Sequence, residues 1–350
     1  MSGMKIAQIA PAWYPIPPTG YGGIELVVAQ LTEGLIKRGH DVTLFATGDS
    51  RTSGELSYVF DKAPSEKIGE VFPDLYHVLH AYERAEEFDV IHDHSGRIGP
   101  GLGYFSSTPV LHTLHGPAVE DAVMLYKFLS KRIYFNAISN YQRMCFGDLN
   151  FVATIYNAVD LDAYSYTSQK DGYLLFLGRM SPEKGAHVAA QVANRLDKRL
   201  LLVTKITECH EKEYFNEQVK PFLHKNSEVI GEVDLKTKVD LYKNAECTLF
   251  PIQWPEPFGL VMVESMATGT PVVAIKDGAV PEVIVDKKTG FIVNNSVDEM
   301  VNAVKKMDSI DFKDCREHVE KNFSIDRMVS GYEGAYQRIF ELEKSCEKVS

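Results

Sequence analysis

The chain has 350 residues, enough for two domains of ordinary size, each with its own core. Hydrophobic residues at 45% and charged residues at 24% describe a soluble globular protein, and no window approaches the roughly 18 uninterrupted apolar residues of a membrane span. A formal net charge of -11 excludes broad, nonspecific nucleic-acid binding, which needs Lys and Arg against the phosphates, but leaves room for a nucleotide held by one or two local cations.

Cys145, Cys209, Cys247, Cys315 and Cys346 are scattered and lack C-x-x-C pairing, so neither a disulfide framework nor a zinc site is suggested. The first residues run into a strand-like segment without the basic and apolar blocks of a signal peptide, which leads us to expect a cytoplasmic protein.

Met4 to Ala10 reads as a buried strand, followed by a Pro- and Gly-rich segment and a helical pattern through Arg38. Strand, glycine turn and helix make the first unit of a doubly wound nucleotide-binding domain. Gly20, Gly22 and Gly23 do not form the dinucleotide fingerprint, because Glu25 stands where its third glycine belongs, and a hydride-transfer enzyme is disfavoured. The Gly22-Gly23 pair suits close backbone approach to a diphosphate; a flexible turn is the other reading. Gly39 marks the helix stop and leads into the next strand.

Phe88 to His94 and Pro109 to Gly116 carry two more strands that end in His, and Asn136 to Ser139 and Val152 to Asn157 follow. Short apolar strands alternating with helical stretches imply a parallel sheet covered on both faces, whose ligands gather at the carboxyl ends of the strands. His92-Asp93-His94 resembles a metal cluster only superficially, since adjacent strand residues point to opposite faces, His92 and His94 share a face only while the strand continues, and no third ligand is evident. His115 closes a strand ahead of Gly116, either as a ligand contact or as a simple strand cap. Asp121 to Arg132, with Lys127, Lys131 and Arg132, reads as a solvated amphipathic helix, with a peripheral contact to acidic lipid as the alternative.

A polar, turn-rich stretch from Leu161 to Gly172 separates this series from a second, which runs through strands at Tyr173 to Leu177, Arg199 to Thr204, Ser227 to Ile230, Cys247 to Pro251 and Pro271 to Ile275. After the first of these, Gly178 to Gly185 places Arg179 and Lys184 five residues apart around a Ser-Pro turn. A planar guanidinium fork and a mobile ammonium together neutralise a diphosphate, although both also serve as ordinary surface charges.

The most informative stretch is Trp254 to Pro271, where Glu256 and Glu264 are separated by seven residues. Pro257 suits the first position of a helix, which predicts Glu256 at the helix mouth and Glu264 about two turns inside. The leading N–H groups of Phe258, Gly259 and Leu260 would then offer a seat for phosphate. An acid-capped helix with a second Glu on its wet face is the plainer reading. Ile325 to Glu343 is a final helical stretch.

Glu256 to Ala274 resembles the E-x7-E region of retaining GT-B glycosyltransferases of family 4, the glycosyl transferases group 1. Gly22-Gly23 is similar to the N-terminal glycine loop of that family, Thr113-Leu-His115-Gly116 to its Thr-x-His-Gly segment, and Gly178 to Gly185 to its Gly-Arg-x-x-x-x-Lys-Gly motif. Gly278 to Val283 and Thr289 to Val293 also look like family segments, with no role assigned to Glu282. Asn157 to Asp160 resembles the inter-domain Asn-Gly-Val-Asp, with Ala158 in place of Gly, a departure that matters if the turn needs positive φ.

The resemblance implies two doubly wound Rossmann-like domains facing each other across a cleft. Residues 1–165, with 325–350 packing back on them, form the acceptor side, and 166–324 form the donor side. It implies a retaining hexosyltransferase that moves a sugar from a UDP- or GDP-sugar to a hydroxyl of a glycan, lipid or small molecule. No metal, no other cofactor and no nucleic acid are expected, and peripheral contact at the inner membrane face stays open. Arg179, Lys184, the Phe258 to Leu260 amides and the Gly22-Gly23 turn would serve the leaving diphosphate, Glu264 the ribose, Glu256 a sugar hydroxyl and His115 the far side of the sugar. Tyr14 to Tyr21 and His94 to Tyr104 are expected on the acceptor side. No covalent nucleophile stands out. A sugar-nucleotide epimerase of the same fold is opposed by the intact E-x7-E and Arg/Lys pairs, and a noncatalytic sugar-nucleotide-binding partner by the presence of both Glu256 and His115.

Overall fold

The computed structural model describes residues 3–20 and 22–347, so Tyr21, the last residue of the expected acceptor-side segment, lies outside the described residues. Contacts divide the chain into two units, Met1–Ala158 with Ile325–Ser350, and Val159–Ser324.

The first unit is built on seven strands: β1 Lys5–Ile9, β2 Asp41–Phe45, β3 Glu55–Ser57, β4 Val90–Asp93, β5 Val110–Leu114, β6 Tyr134–Ala137 and β7 Phe151–Thr154. They lie in the order β3-β2-β1-β4-β5-β6-β7, all neighbours parallel. Strands such as Val110–Leu114 are buried along their whole length, because crossover helices cover both faces of a parallel sheet. The helix Gly23–Lys37 ends as expected, with Gly39 left-handed at φ 88. The last helix, Ile325–Glu347, packs on this first one, and Gly34 permits the approach, since a Cβ there would lie 2.5 Å from Val329. The helix expected over Asp121 to Arg132 spans Glu120–Leu129, leaving Lys131 and Arg132 beyond its end. Among the described residues no helix is long and apolar enough to cross a membrane.

The second unit carries β8 Leu174–Leu177, β9 Leu200–Val203, β10 Glu228–Ile230, β11 Cys247–Phe250, β12 Val272–Ile275 and β13 Gly290–Val293, in the order β10-β9-β8-β11-β12-β13 and again all parallel. The polar stretch Leu161 to Gly172 packs on this sheet's own elements: Thr167 N–H donates to Thr268 O, and Lys170 Nζ reaches Thr270 Oγ1 at 2.7 Å. Ala158 does not have positive φ, so the missing glycine costs the backbone nothing there.

In each sheet the strand order reverses once, between β1 and β4 and between β8 and β11. Loops leaving the carboxyl ends of those two strands diverge to opposite faces and open a crevice, where ligands of such sheets bind. The reversal therefore singles out the loops after Ile9 and Asp93 in the first unit, and after Leu177 and Phe250 in the second.

Candidate functional site

In the second unit the two loops at the reversal are fastened side by side. Gly185, at φ 75, passes so close to Pro251 that a Cβ would lie 1.9 Å from its carbonyl oxygen, and Gln253 N–H donates to Glu183 O at 2.8 Å. This brings together two motifs 72 residues apart: Lys184 Nζ lies 2.6 Å from Glu256 Oε2. Trp254 Nε1–H donates to the same oxygen at 2.9 Å, and the Lys184 ammonium sits 4.8 Å from the centre of the Trp254 rings. Both ends of the ion pair are largely shielded, at 18% and 15% side-chain exposure. The Glu256 backbone is held as firmly, because Ala279 N–H donates to its carbonyl at 2.9 Å and Gly278 packs where a Cβ would lie 2.3 Å from that oxygen. Arg179 is not part of this cluster; it is half exposed and pairs with Glu183 at 3.2 Å.

The helix carrying the second carboxylate begins at Leu260, three residues after Pro257. Gly259 is the reason. Its left-handed backbone, φ 88, has no place inside a right-handed helix, so it becomes the N-cap. Glu256 accordingly sits in the preceding loop, Glu264 is about one turn inside the helix rather than two, and the Phe258 amide precedes the first turn, whose leading N–H groups belong to Leu260 and Val261. Phe258 is buried and packs edge-on against Phe323.

Glu264 is not on a wet face. It is buried, and three donors converge on its carboxylate: Tyr164 OH at 2.7 Å and Lys238 Nζ at 2.5 Å on Oε1, and Tyr242 OH at 3.1 Å on Oε2. Burial first, and the neighbouring carboxylate second, push both phenols upward, so they remain donors. Sequence reasoning missed Lys238, Tyr164, Tyr242 and Trp254. Trp254 carried a signal, standing two residues from Glu256; the other three reach Glu264 only through the fold.

In the first unit, Gly22 caps the helix Gly23–Lys37 at φ 149, where a Cβ would lie 2.7 Å from Pro18 and 3.0 Å from Glu25 Oε2. Glu25 in that first turn is buried, which raises its carboxyl from 4.5 to about 7. His115, partly exposed beyond β5, has Nε2 2.9 Å from His94 Nδ1. His94 Nε2 is 3.0 Å from Gln8 Oε1, whose amide nitrogen faces His92 Nδ1 and Tyr336 OH. An amide oxygen only accepts, so His94 carries its proton on Nε2, His115 donates from Nε2, and the His115 Nδ1 lone pair is free to accept. Burial, then His112 nearby, lowers His115 to about 3, keeping the ring neutral. The His92 and His94 rings lie 4.0 Å apart, tilted by 41°, yet among the described residues no three His, Cys, Asp or Glu side chains converge as metal ligands.

The chain is similar to known proteins over most of its length. Residues 164–322 match the model described as Glycosyl transferases group 1, and residues 21–163 match Glycosyltransferase Family 4. The chain is 26% identical over 323 residues to the phosphatidyl-myo-inositol mannosyltransferase of Mycolicibacterium smegmatis, covering 83% of this chain and 81% of that one. Among solved structures, AviGT4, a glycosyltransferase involved in avilamycin A biosynthesis, superposes with a TM-score of 0.74 at 26% identity, over 96% of this chain and 98% of the other. Anabaena HepE, solved with UDP and glucose, has the same fold, with a TM-score of 0.74 at 19% identity over 98% and 100% of the two chains.

Proposed function

Since the chain belongs to the glycosyl transferases group 1 within glycosyltransferase family 4, we propose that it transfers a sugar from a nucleoside diphosphate donor to an acceptor hydroxyl, with retention of anomeric configuration and without a metal ion. The observation that carries the reading is the joining of Lys184 to Glu256 at the strand-order reversal of the second unit, 2.6 Å apart beside a helix N-terminus. A cation there answers the diphosphate, the leading amides of Leu260 and Val261 add the positive end of the helix dipole, and Glu256 accepts from a sugar hydroxyl. Glu264 serves the ribose. Arg179, half exposed, turns from Glu183 to a phosphate oxygen. Residues of the first unit, the Gly22-Gly23 turn and His115 with its free Nδ1, enter through the family resemblance.

Breaking the anomeric bond builds positive charge on the sugar and negative charge on the departing phosphate, and fixed charges aimed at that separation stabilise the transition state. The leaving phosphate takes the acceptor proton on the same face, so no protein base is required. That HepE was solved with UDP and glucose favours a UDP-sugar, with a GDP-sugar as the other donor expected, and the naming of the mycobacterial relative as a mannosyltransferase adds mannose to glucose among the sugars to test.

The test is thermal stability against UDP-, GDP-, ADP- and dTDP-sugars, repeated for Glu264→Ala and Glu256→Ala. A donor at a hundred times its Kd stabilises the folded state by about 2.7 kcal/mol. One stabilising donor, lost in Glu264→Ala, supports the pocket. Product anomer analysis by NMR and turnover in EDTA then decide retention and metal independence. Stabilisation by none of the donors refutes the assignment.

A further inference from the structure

Trp254 lies outside the E-x7-E pair, and nothing in the proposed chemistry uses it. Its indole nitrogen nevertheless lies 2.9 Å from Glu256 Oε2, the oxygen that also receives Lys184. The polarity is unambiguous, because an indole N–H only donates. The two donors differ in mobility. Lys184 holds its charge on a flexible four-carbon stem and rests over the Trp254 rings, 4.8 Å from their centre. The indole is a rigid plate with two rotatable bonds, on a loop fastened by the Gly185–Pro251 approach and by Gln253 N–H to Glu183 O.

We propose that Trp254 is a positioning residue for donor-sugar recognition: its N–H holds the Glu256 carboxylate toward a sugar hydroxyl while Lys184 leaves for the diphosphate. This rests on the assignment of Glu256 to the sugar. A diphosphate offers Lys184 more negative charge than one carboxylate does, so donor binding draws the ammonium away and frees one lone-pair site on Oε2. Without Trp254, Glu256 would then lose its side-chain anchor at the moment it meets the sugar. With it, the carboxylate keeps its orientation, and the backbone clamp from Gly278 and Ala279 keeps its position.

The experiment is calorimetric titration of UDP, UDP-glucose, GDP and GDP-mannose into the full chain, comparing the parent with Trp254→Phe and Glu256→Ala. The readout is the ratio of Kd for the nucleoside diphosphate to Kd for its sugar. Trp254→Phe keeps an aromatic ring for Lys184 and removes the N–H together with the five-membered ring that carries it. It is expected to lower the ratio about tenfold, equivalent to 1.4 kcal/mol, with affinity for the bare diphosphate changed by less than about twofold. The chain has two tryptophans, so in a Trp13→Phe background UDP alone should shift the emission of Trp254 as the ammonium leaves its rings. A Trp254→Phe ratio equal to the parent's, while Glu256→Ala lowers it, overturns the proposal and leaves the Glu256 assignment standing. Equal loss of bare diphosphate and sugar-bearing donor affinity in Trp254→Phe makes the residue merely structural and also overturns it. A parental ratio in Glu256→Ala removes the assignment beneath it.

Discussion

Replacing Lys238 by Met should destabilise the second unit more than replacing its partner Glu264 by Gln, although both changes break the same 2.5 Å ion pair. Methionine keeps the length and apolar bulk of the stem but removes the cation. The Glu264 carboxylate, only 5% exposed, is then left charged with the Tyr164 and Tyr242 hydroxyls alone. Stranding a fully buried charge costs about 3–5 kcal/mol. The two surviving charge-assisted bonds reduce that to about 2–3 kcal/mol. For a unit of this size the melting point should fall by roughly 4–12 °C. Glu264→Gln leaves the opposite remnant, an ammonium with 19% exposure whose stem can carry it to water, at a cost of about 1 kcal/mol. The double variant should resemble Glu264→Gln, because removing the stranded charge removes its penalty. Thermal and urea unfolding of the full chain at pH 7, followed by circular dichroism, gives all three values. Equal costs for the two single changes, or an additive double variant, would refute this account of the carboxylate.

Three further outcomes can be checked with the same preparations. Burial holds the Glu25 carboxyl at about 7, so the folded chain keeps this proton where the unfolded chain has shed it. The contribution is complete below about pH 4.5 and is lost as pH rises through 7. Glu25→Gln should therefore match the parent at pH 4.5 and exceed its stability at pH 8 by up to about 3 kcal/mol, read from urea midpoints. Tyr336→Phe removes a buried hydroxyl 2.7 Å from His92 Nδ1 and 3.2 Å from Gln8 Nε2, and should cost about 1–3 kcal/mol in the same assay. Iodoacetamide should label Cys145 and Cys209 in the native chain but Cys247 and Cys315 only after unfolding, since the latter pair is buried and its thiols are pushed upward, that of Cys315 to about 12; peptide mapping decides.

The parallel α/β character was legible because most strands, from Met4 to Ala10 through Pro271 to Ile275, are short apolar runs bounded by turn residues, and that pattern depends only on local burial; the three-residue edge strand Glu55–Ser57 carries no such run and was missed. The family was legible because Glu256 to Ala274 keeps many residue types at fixed spacing. The start of the helix after Glu256 was not. Pro257 satisfies every local rule for an opening residue, and only the backbone of Gly259 moves the start to Leu260. Nor could any local pattern bury Glu264: a Glu in a helix reads as solvated unless Tyr164, a hundred residues away, is known to face it. The pairing of Lys184 with Glu256 likewise depends on the approach of Gly185 to Pro251, a tertiary event that both motifs permit and neither announces.

The chain leaves the first unit at Ala158 and re-enters it at Ile325, and the two ends of the intervening unit meet where Val159 N–H donates to Phe323 O at 3.0 Å. During synthesis the ribosome therefore delivers a whole second unit, stem closed, before the final helix exists. Until that helix emerges, the first sheet lacks Tyr332 and Tyr336, and Gln8, His92, Thr113 and Asn136 lack the hydroxyls that meet them. Nascent chains truncated before Ile325 should carry a protease-resistant second unit and a susceptible first one, so that the segment made first is the last to become native.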